Sequence, residues 1–155
     1  SGRKYGGGYV GIGETGLDTF RDRTPLPQQE RSLRAHLQLA RELDLPVIFH
    51  CRDAFAPLFD VLRSEARVRG VMHCFSGGVD EARLALDLGL SLSFAGPLTY
   101  PKNDALRAAA AFAPAAAVLV ETDAPFLPPQ RRRGRRNEPA YVVETLATLA
   151  QVRGV

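Results

Sequence analysis

The sequence predicts an α/β chain in which parallel strands alternate with helices. Three observations predict it. Short, evenly apolar runs recur along the 155 residues, each too short for an amphipathic helix. Buried parallel strands read this way. Helical patterns, with apolar residues three and four apart, lie between the runs. Four of the runs lead directly into a Glu, His or Asp.

Taken in order, Ser1 to Gly8 is polar and glycine-rich and reads as a linker or junction remnant. Residues 9–155 then form one domain. The first strand is Tyr9 to Gly13. A helix from about Leu26 to Leu43 puts Leu33, Leu37, Ala40 and Leu43 on one face. The second strand is Pro46 to Phe49, and Asp53 is read as the N-cap of a helix carrying Leu58, Val61 and Leu62. The third strand is Val71 to Met72. It is followed by a helix from Asp80 to Leu88 that Gly89 ends. Leu90 to Phe94 is the fourth strand, with a helix from Asn103 to Phe112 and Pro114 just beyond. Ala116 to Val120 is the fifth. Asn137 is read as the cap of a last helix, with Pro139 in its first turn and Tyr141, Val142, Leu146 and Leu149 as its stripe.

This alternation implies a parallel sheet with right-handed crossovers. Two architectures accommodate it: an open doubly wound sheet, or part of a (β/α)8 barrel. No Gly-x-Gly-x-x-Gly follows the first strand, so a dinucleotide fold lacks its marker.

Composition narrows the class. Hydrophobic residues are 45% and charged residues 24%, which fits a globular domain and excludes disorder and coiled coil. No apolar run approaches the ~20 residues a membrane helix needs, and the start does not read as a signal peptide. The net charge of +3 suits an anionic partner without demanding one. Two cysteines, neither in a Cys-x-x-Cys, exclude a disulfide scaffold and a zinc ribbon, and a cytoplasmic chain is expected.

The strand ends carry the chemistry. The first strand runs into Glu14, the second into His50, the third into His73 and the fifth into Asp123. In both architectures the functional face lies at the strand C-termini. Two imidazoles and two carboxylates from four strands therefore converge as a shell for Zn²⁺, Mn²⁺ or a related ion. The third histidine, His36, sits mid-helix, away from any strand end.

These residues also carry a family resemblance. Gly13-Glu14-Thr15-Gly16-Leu17-Asp18 resembles a signature of the TatD-like metal-dependent deoxyribonucleases. So do Leu45 to Ala54, His73-Cys74-Phe75-Ser76-Gly77, and Glu121-Thr122-Asp123-Ala124-Pro125 with Asn137-Glu138-Pro139-Ala140. The motifs occur in the family's order from about Val10 to Val155. The resemblance implies a TIM-type barrel of the amidohydrolase kind and one or two divalent metals (Zn, Mg or Mn). It implies hydrolysis of DNA phosphodiesters from the 3′ end, on single strands or frayed ends. Matched by motif, Glu14 is the strand-four carboxylate that bridges metals. His50 and His73 are ligands on strands five and six. Asp123 is the strand-eight carboxylate that binds metal and activates water, so Glu14 and Asp123 are the catalytic pair.

One departure from the family pattern is large. The family's first strand carries a His-x-His pair that this sequence lacks, and a full barrel needs roughly 250 residues. The chain therefore reads as a five-strand portion lacking the first three strands. Such a portion is expected to expose a strand edge and the barrel interior, and so to form homo-oligomers, aggregate or require its missing half.

Around this centre, Arg52 is a candidate for substrate phosphate or for an ion pair with a site carboxylate. Glu121, two residues before Asp123, is expected to support the metal ligands or pair with an Arg. Asp18 reads as a turn residue. Cys51 and Cys74 read as small buried hydrophobes facing away from the site. Arg131, Arg132 and Arg133 open the densest run of charge and are read either as a phosphate clamp or as a solvated loop. Tyr100 and Phe126 lie on loops where they either stack a base or pack inward. Two other functions stay open: a metal-dependent amide or ester hydrolase of the same barrel type, and a non-catalytic remnant that binds nucleic acid through its arginines.

Overall fold

The computed structural model describes residues 8–21 and 23–155. The segment read as a linker thus lies outside the described residues except for Gly8. The strands are β1 (Ile12–Asp18), β2 (Val47–Arg52), β3 (Gly70–Met72), β4 (Ser91–Phe94) and β5 (Val118–Val120). The helices are α1 (Leu26–Leu43), α2 (Phe55–Arg63), α3 (Val79–Asp87), α4 (Asp104–Phe112) and α5 (Val142–Arg153). All strand pairings are parallel, and the order across the sheet is β1-β2-β3-β4-β5. Strands that follow each other in sequence lie side by side, as in a barrel wall, with no reversal of the doubly wound type.

The helices cover one face of this sheet. Leu17, Phe49, Met72, Leu92 and Phe94 point into that layer and are essentially buried. There they meet Leu33 and Leu37 of α1, Leu58 and Leu62 of α2, Ala82 and Ala85 of α3, and Leu106 and Ala109 of α4. The other face is open. Ile48 and Leu119 on it are 41% and 51% exposed. β2 and β5 consequently alternate in burial, although their apolar sequences read as buried on both faces. Among the described residues, no helix is long and apolar enough to cross a membrane.

Several local expectations change. The first strand lies further along than the run Tyr9 to Gly13. Tyr9 and Val10 are exposed, and pairing with β2 continues from Thr15 to Asp18. Gly16 permits this, because a Cβ there would sit 1.8 Å from the His50 carbonyl oxygen. Asp53 does not cap α2: Ala54 holds the N-cap position, and Asp53 adopts a positive φ of 53°. Asn137 caps no helix, because α5 starts only at Val142. It is 2% exposed, and its amide donates to the carbonyls of Thr122 and Phe126, both at 2.6 Å. Leu146 is not part of the buried stripe; Thr145 and Leu149 bury instead, and Leu146 is half exposed.

Candidate metal centre

The parallel ladder continues past the formal strand ends and positions the site. The His73 N–H donates to the Phe49 carbonyl, and the Glu121 N–H donates to the Phe94 carbonyl, each at 3.0 Å. His73 and Glu121 thereby project beyond the C-terminal ends of β3 and β5. Glu14 and His50 project from β1 and β2.

Glu14, His50 and His73 form the centre. Each offers one ligand atom, and the three atoms lie within 4.8 Å of one another. The Oε1 atom of Glu14 is 2.8 Å from Nδ1 of His50 and 3.0 Å from Nε2 of His73. The imidazole rings stand 5.8 Å apart. One carboxylate oxygen and two imidazole nitrogens converging on one point form a donor set that fits a divalent ion such as Zn²⁺ or Mn²⁺.

Each imidazole is held from behind. Nδ1 of His73 lies 3.2 Å from Oε2 of Glu121, whose other oxygen accepts the N–H of Cys74. Nε2 of His50 lies 3.0 Å from Oδ2 of Asp18. The remaining Asp18 oxygen accepts the N–H groups of Phe20 and Arg21 at 3.0 and 3.1 Å. Carboxylates behind ligand histidines fix the ring orientation and tautomer. Asp18 thus combines its turn role with a contact to His50, which the sequence reading missed. The missed signal is spacing: Glu14, Gly16 and Asp18 alternate along one strand and share a face. The prediction ended that strand at Gly13, which left Asp18 in a loop.

The charges follow from this packing. Burial disfavours the His73 cation, but the hydrogen bond to Glu121 and the charges of Glu121, Glu14 and Asp123 outweigh it, raising its pKa to about 9. Burial pushes the Glu121 and Asp18 carboxyls up. Hydrogen bonds from His73 and Cys74 to the one, and from Arg21 and His50 to the other, win and hold both below the usual range. Asp123 stands outside the trio of converging ligand atoms. Burial, with Glu121 and Glu14 adding to it against His73 and His50, lifts its carboxyl above the ordinary range. Its backbone has a positive φ of 55°. Burial also keeps both thiols protonated, with Cys51 pushed up to about 12 and Cys74 likewise raised.

The remaining candidates are distributed around this centre. The Arg52 guanidinium lies 3.8 Å over the Phe20 ring, while Glu121 is engaged by His73 and Cys74. Of the arginine run, Arg132 donates to Glu144 at 2.8 Å and stacks on Tyr141, so its charge is already matched. Arg131 is exposed, and Arg133 lies 4.8 Å over Tyr100. Phe126 is 63% exposed. His36 is not remote from the sheet: its Nδ1 lies 3.0 Å from the Thr15 hydroxyl on β1.

Comparison with known proteins shows the family and the fold. The family described as TatD related DNase matches residues 6–155. The chain is 41% identical over 150 residues to the uncharacterized metal-dependent hydrolase YcfH of Escherichia coli K12, covering 96% of this chain and 57% of that protein. It is 39% identical over 152 residues to the 3′-5′ ssDNA/RNA exonuclease TatD of Citrobacter koseri, covering 94% and 58%. The crystal structure of YjjV, a TatD homologue from Escherichia coli K12, superposes with a TM-score of 0.87 at 36% identity, covering 92% of this chain and 56% of that one. The chain therefore spans less than two thirds of the length of these relatives.

Proposed function

Because the chain belongs to the TatD-related DNase family, we infer that it forms part of a metal-dependent hydrolase that removes nucleotides from the 3′ end of DNA. The observation that carries this reading is the convergence of Glu14, His50 and His73, with Glu121 behind His73. Relatives named as uncharacterized metal-dependent hydrolases, and others named as 3′-5′ ssDNA/RNA exonucleases, support it.

Glu14, His50 and His73 would hold the metal, one or two ions of Zn, Mg or Mn, with Asp123 completing the set from the β5 side. When bound, the metal would polarise the phosphoryl oxygen and acidify water. The protein's own residues do the rest. Glu121 keeps the His73 ring turned toward Glu14, and Asp18 does the same for His50. Asp123 takes the proton of the attacking water on its carboxylate oxygen. Arg52, Arg131 and Arg133 offer cations to backbone phosphates of a single-stranded or frayed end. The reducing cytoplasm suits a chain with two free thiols.

The test uses the intact protein with DNA labelled at one end. Shortening from the 3′ end with Mg²⁺, Mn²⁺ or Zn²⁺, abolished by EDTA and in His50→Ala and His73→Ala, is the expected result. Hydrolysis of cyclic amides or esters in place of oligonucleotides would transfer the site to the other substrate class.

A further inference from the structure

A basic cleft opens at the end of the sheet that carries the candidate metal centre. It has a volume of about 330 Å³ and is lined by Tyr100, Pro101, Lys102, Asn103, Gln130 and Arg133. The first four follow β4 and the last two follow β5, so the cleft lies at the same end of the sheet as Glu14, His50 and His73.

Its walls are cross-braced. The Tyr100 hydroxyl donates to the Pro128 carbonyl at 2.9 Å, and the Gln130 N–H donates to the Thr99 hydroxyl at 2.7 Å. Arg107 of α4 donates to the carbonyls of Tyr100 and Pro101 at 2.6 and 2.8 Å. The Asn103 amide donates to the Pro97 carbonyl at 2.9 Å. Gly96 brings the two loops into contact, since a Cβ there would lie 2.1 Å from the Leu127 carbonyl oxygen. Loops tied in this way present their side chains in a fixed arrangement, which lowers the entropy cost of binding.

The cleft is cationic. Arg133 stacks on Tyr100. Among the described residues, neither Arg133 nor Lys102 has a carboxylate within salt-bridge distance, whereas the neighbouring Arg132 is matched by Glu144. We propose that the Tyr100–Lys102–Arg133 cleft is a subsite for a backbone phosphate of a single strand, one or more nucleotides away from the bond being cut. This rests on the nuclease reading above and extends it. Lys102 and Arg133 supply the charge. Tyr100, anchored through its hydroxyl, holds the guanidinium plane in place. Contacts of this kind are indifferent to base sequence.

The test is binding of dye-labelled oligothymidylate to the intact protein in EDTA, followed by anisotropy over a range of salt. A single-strand phosphate contact contributes roughly 0.7 to the slope of log affinity against log salt. Lys102→Ala with Arg133→Ala should lower that slope by about 0.7, one phosphate contact, and weaken binding about fivefold near 0.1 M salt. Lys102→Arg alone should keep the wild-type slope. Arg63→Ala with Arg69→Ala removes two cations from the opposite end of the sheet and should also leave the slope unchanged. An unaltered slope in the first double variant, or an equal loss in the second, overturns the subsite. So does thymidine monophosphate binding that is as tight as the oligomer and depends equally on Lys102 and Arg133. Binding in EDTA does not require hydrolysis. A protein that binds with the expected slope but cuts nothing with metal loses the nuclease reading and keeps the cleft; one that cuts with an unaltered slope loses only the cleft.

Discussion

Glu121 grips two consecutive residues with one carboxylate: Oε2 lies 3.2 Å from the His73 ring, and Oε1 accepts the backbone N–H of Cys74. The ring angle of a candidate metal ligand is thereby locked to the turn that follows β3.

Replacing Glu121 with Gln keeps the shape and removes the charge behind the ring. Metal affinity is expected to fall about 10- to 100-fold with the fold intact. Calorimetric titration of the metal-free protein with Zn²⁺ checks it, and unchanged affinity would remove Glu121 from the site.

The raised pKa of His73 has a definite sign in the metal-free protein. A cation held up to about 9 against the ordinary 6.5 adds stability that is fully present below pH 6.5. That stability is lost as pH rises through about 9. Denaturation in EDTA at the two ends of this window should show the higher-pH sample less stable, with the difference reduced in His73→Gln. Metal needs the neutral ring, so Zn²⁺ affinity moves the other way and rises with pH across the same window.

Asn137 makes a sharper stability prediction than a helix cap would. Its amide satisfies the carbonyls of Thr122 and Phe126, and its Oδ1 accepts the N–H of Glu138. Asn137→Ala leaves buried partners unsatisfied and should cost about 3 kcal/mol, against about 1 for a lost cap. The denaturant midpoint measures this. Because Asn137 spans the loop around Asp123, activity should fall along with stability.

The thiols are expected to be inert. Cys51 is buried with its pKa at about 12, and the Cys74 thiol is raised as well. Neither should react quickly with an aromatic disulfide reagent at pH 8 while the protein is folded. Cys51→Ala should retain full metal stoichiometry and lose about 1 kcal/mol of stability.

The open face of the sheet predicts association. Ile48 and Leu119 face solvent beside the site, and β1 and β5 are edge strands. These 155 residues expressed alone should elute with a concentration-dependent mass above 16.9 kDa. Ile48→Lys with Leu119→Glu should return them toward a monomer.

Much of this arrangement was legible in the sequence, and the failures share a cause. The parallel alternation and the residues after each run followed from apolar runs and helix periods, which are local signals, whereas the sequential strand order came from the family resemblance. Glu14, His50 and His73 therefore came out together. The misread residues are those whose role depends on a distant partner. Asp18 required knowing that β1 continues past Gly16, which the close approach to the His50 carbonyl allows. Asn137 has the residue type of a cap, and only the loop folded over it reveals a clamp. Arg132 and Arg133 are identical and adjacent in sequence, yet Glu144 and Tyr100 give them different surroundings. Leu146 fitted a helical stripe, but Thr145 and Leu149 mark the face that packs inward.

The sheet order has a consequence in time. Each strand pairs with the one synthesised just before it, so most of the wall can assemble while the chain is still being made. The candidate ligands Glu14, His50 and His73 come with β1, β2 and β3, whereas Glu121, which braces the His73 ring, comes only after β5. An intermediate of β1 to β3 therefore has the three converging groups but lacks the carboxylate that fixes the His73 ring. Tight metal capture is thus expected to follow docking of the fifth strand, and its rate during refolding would report that step.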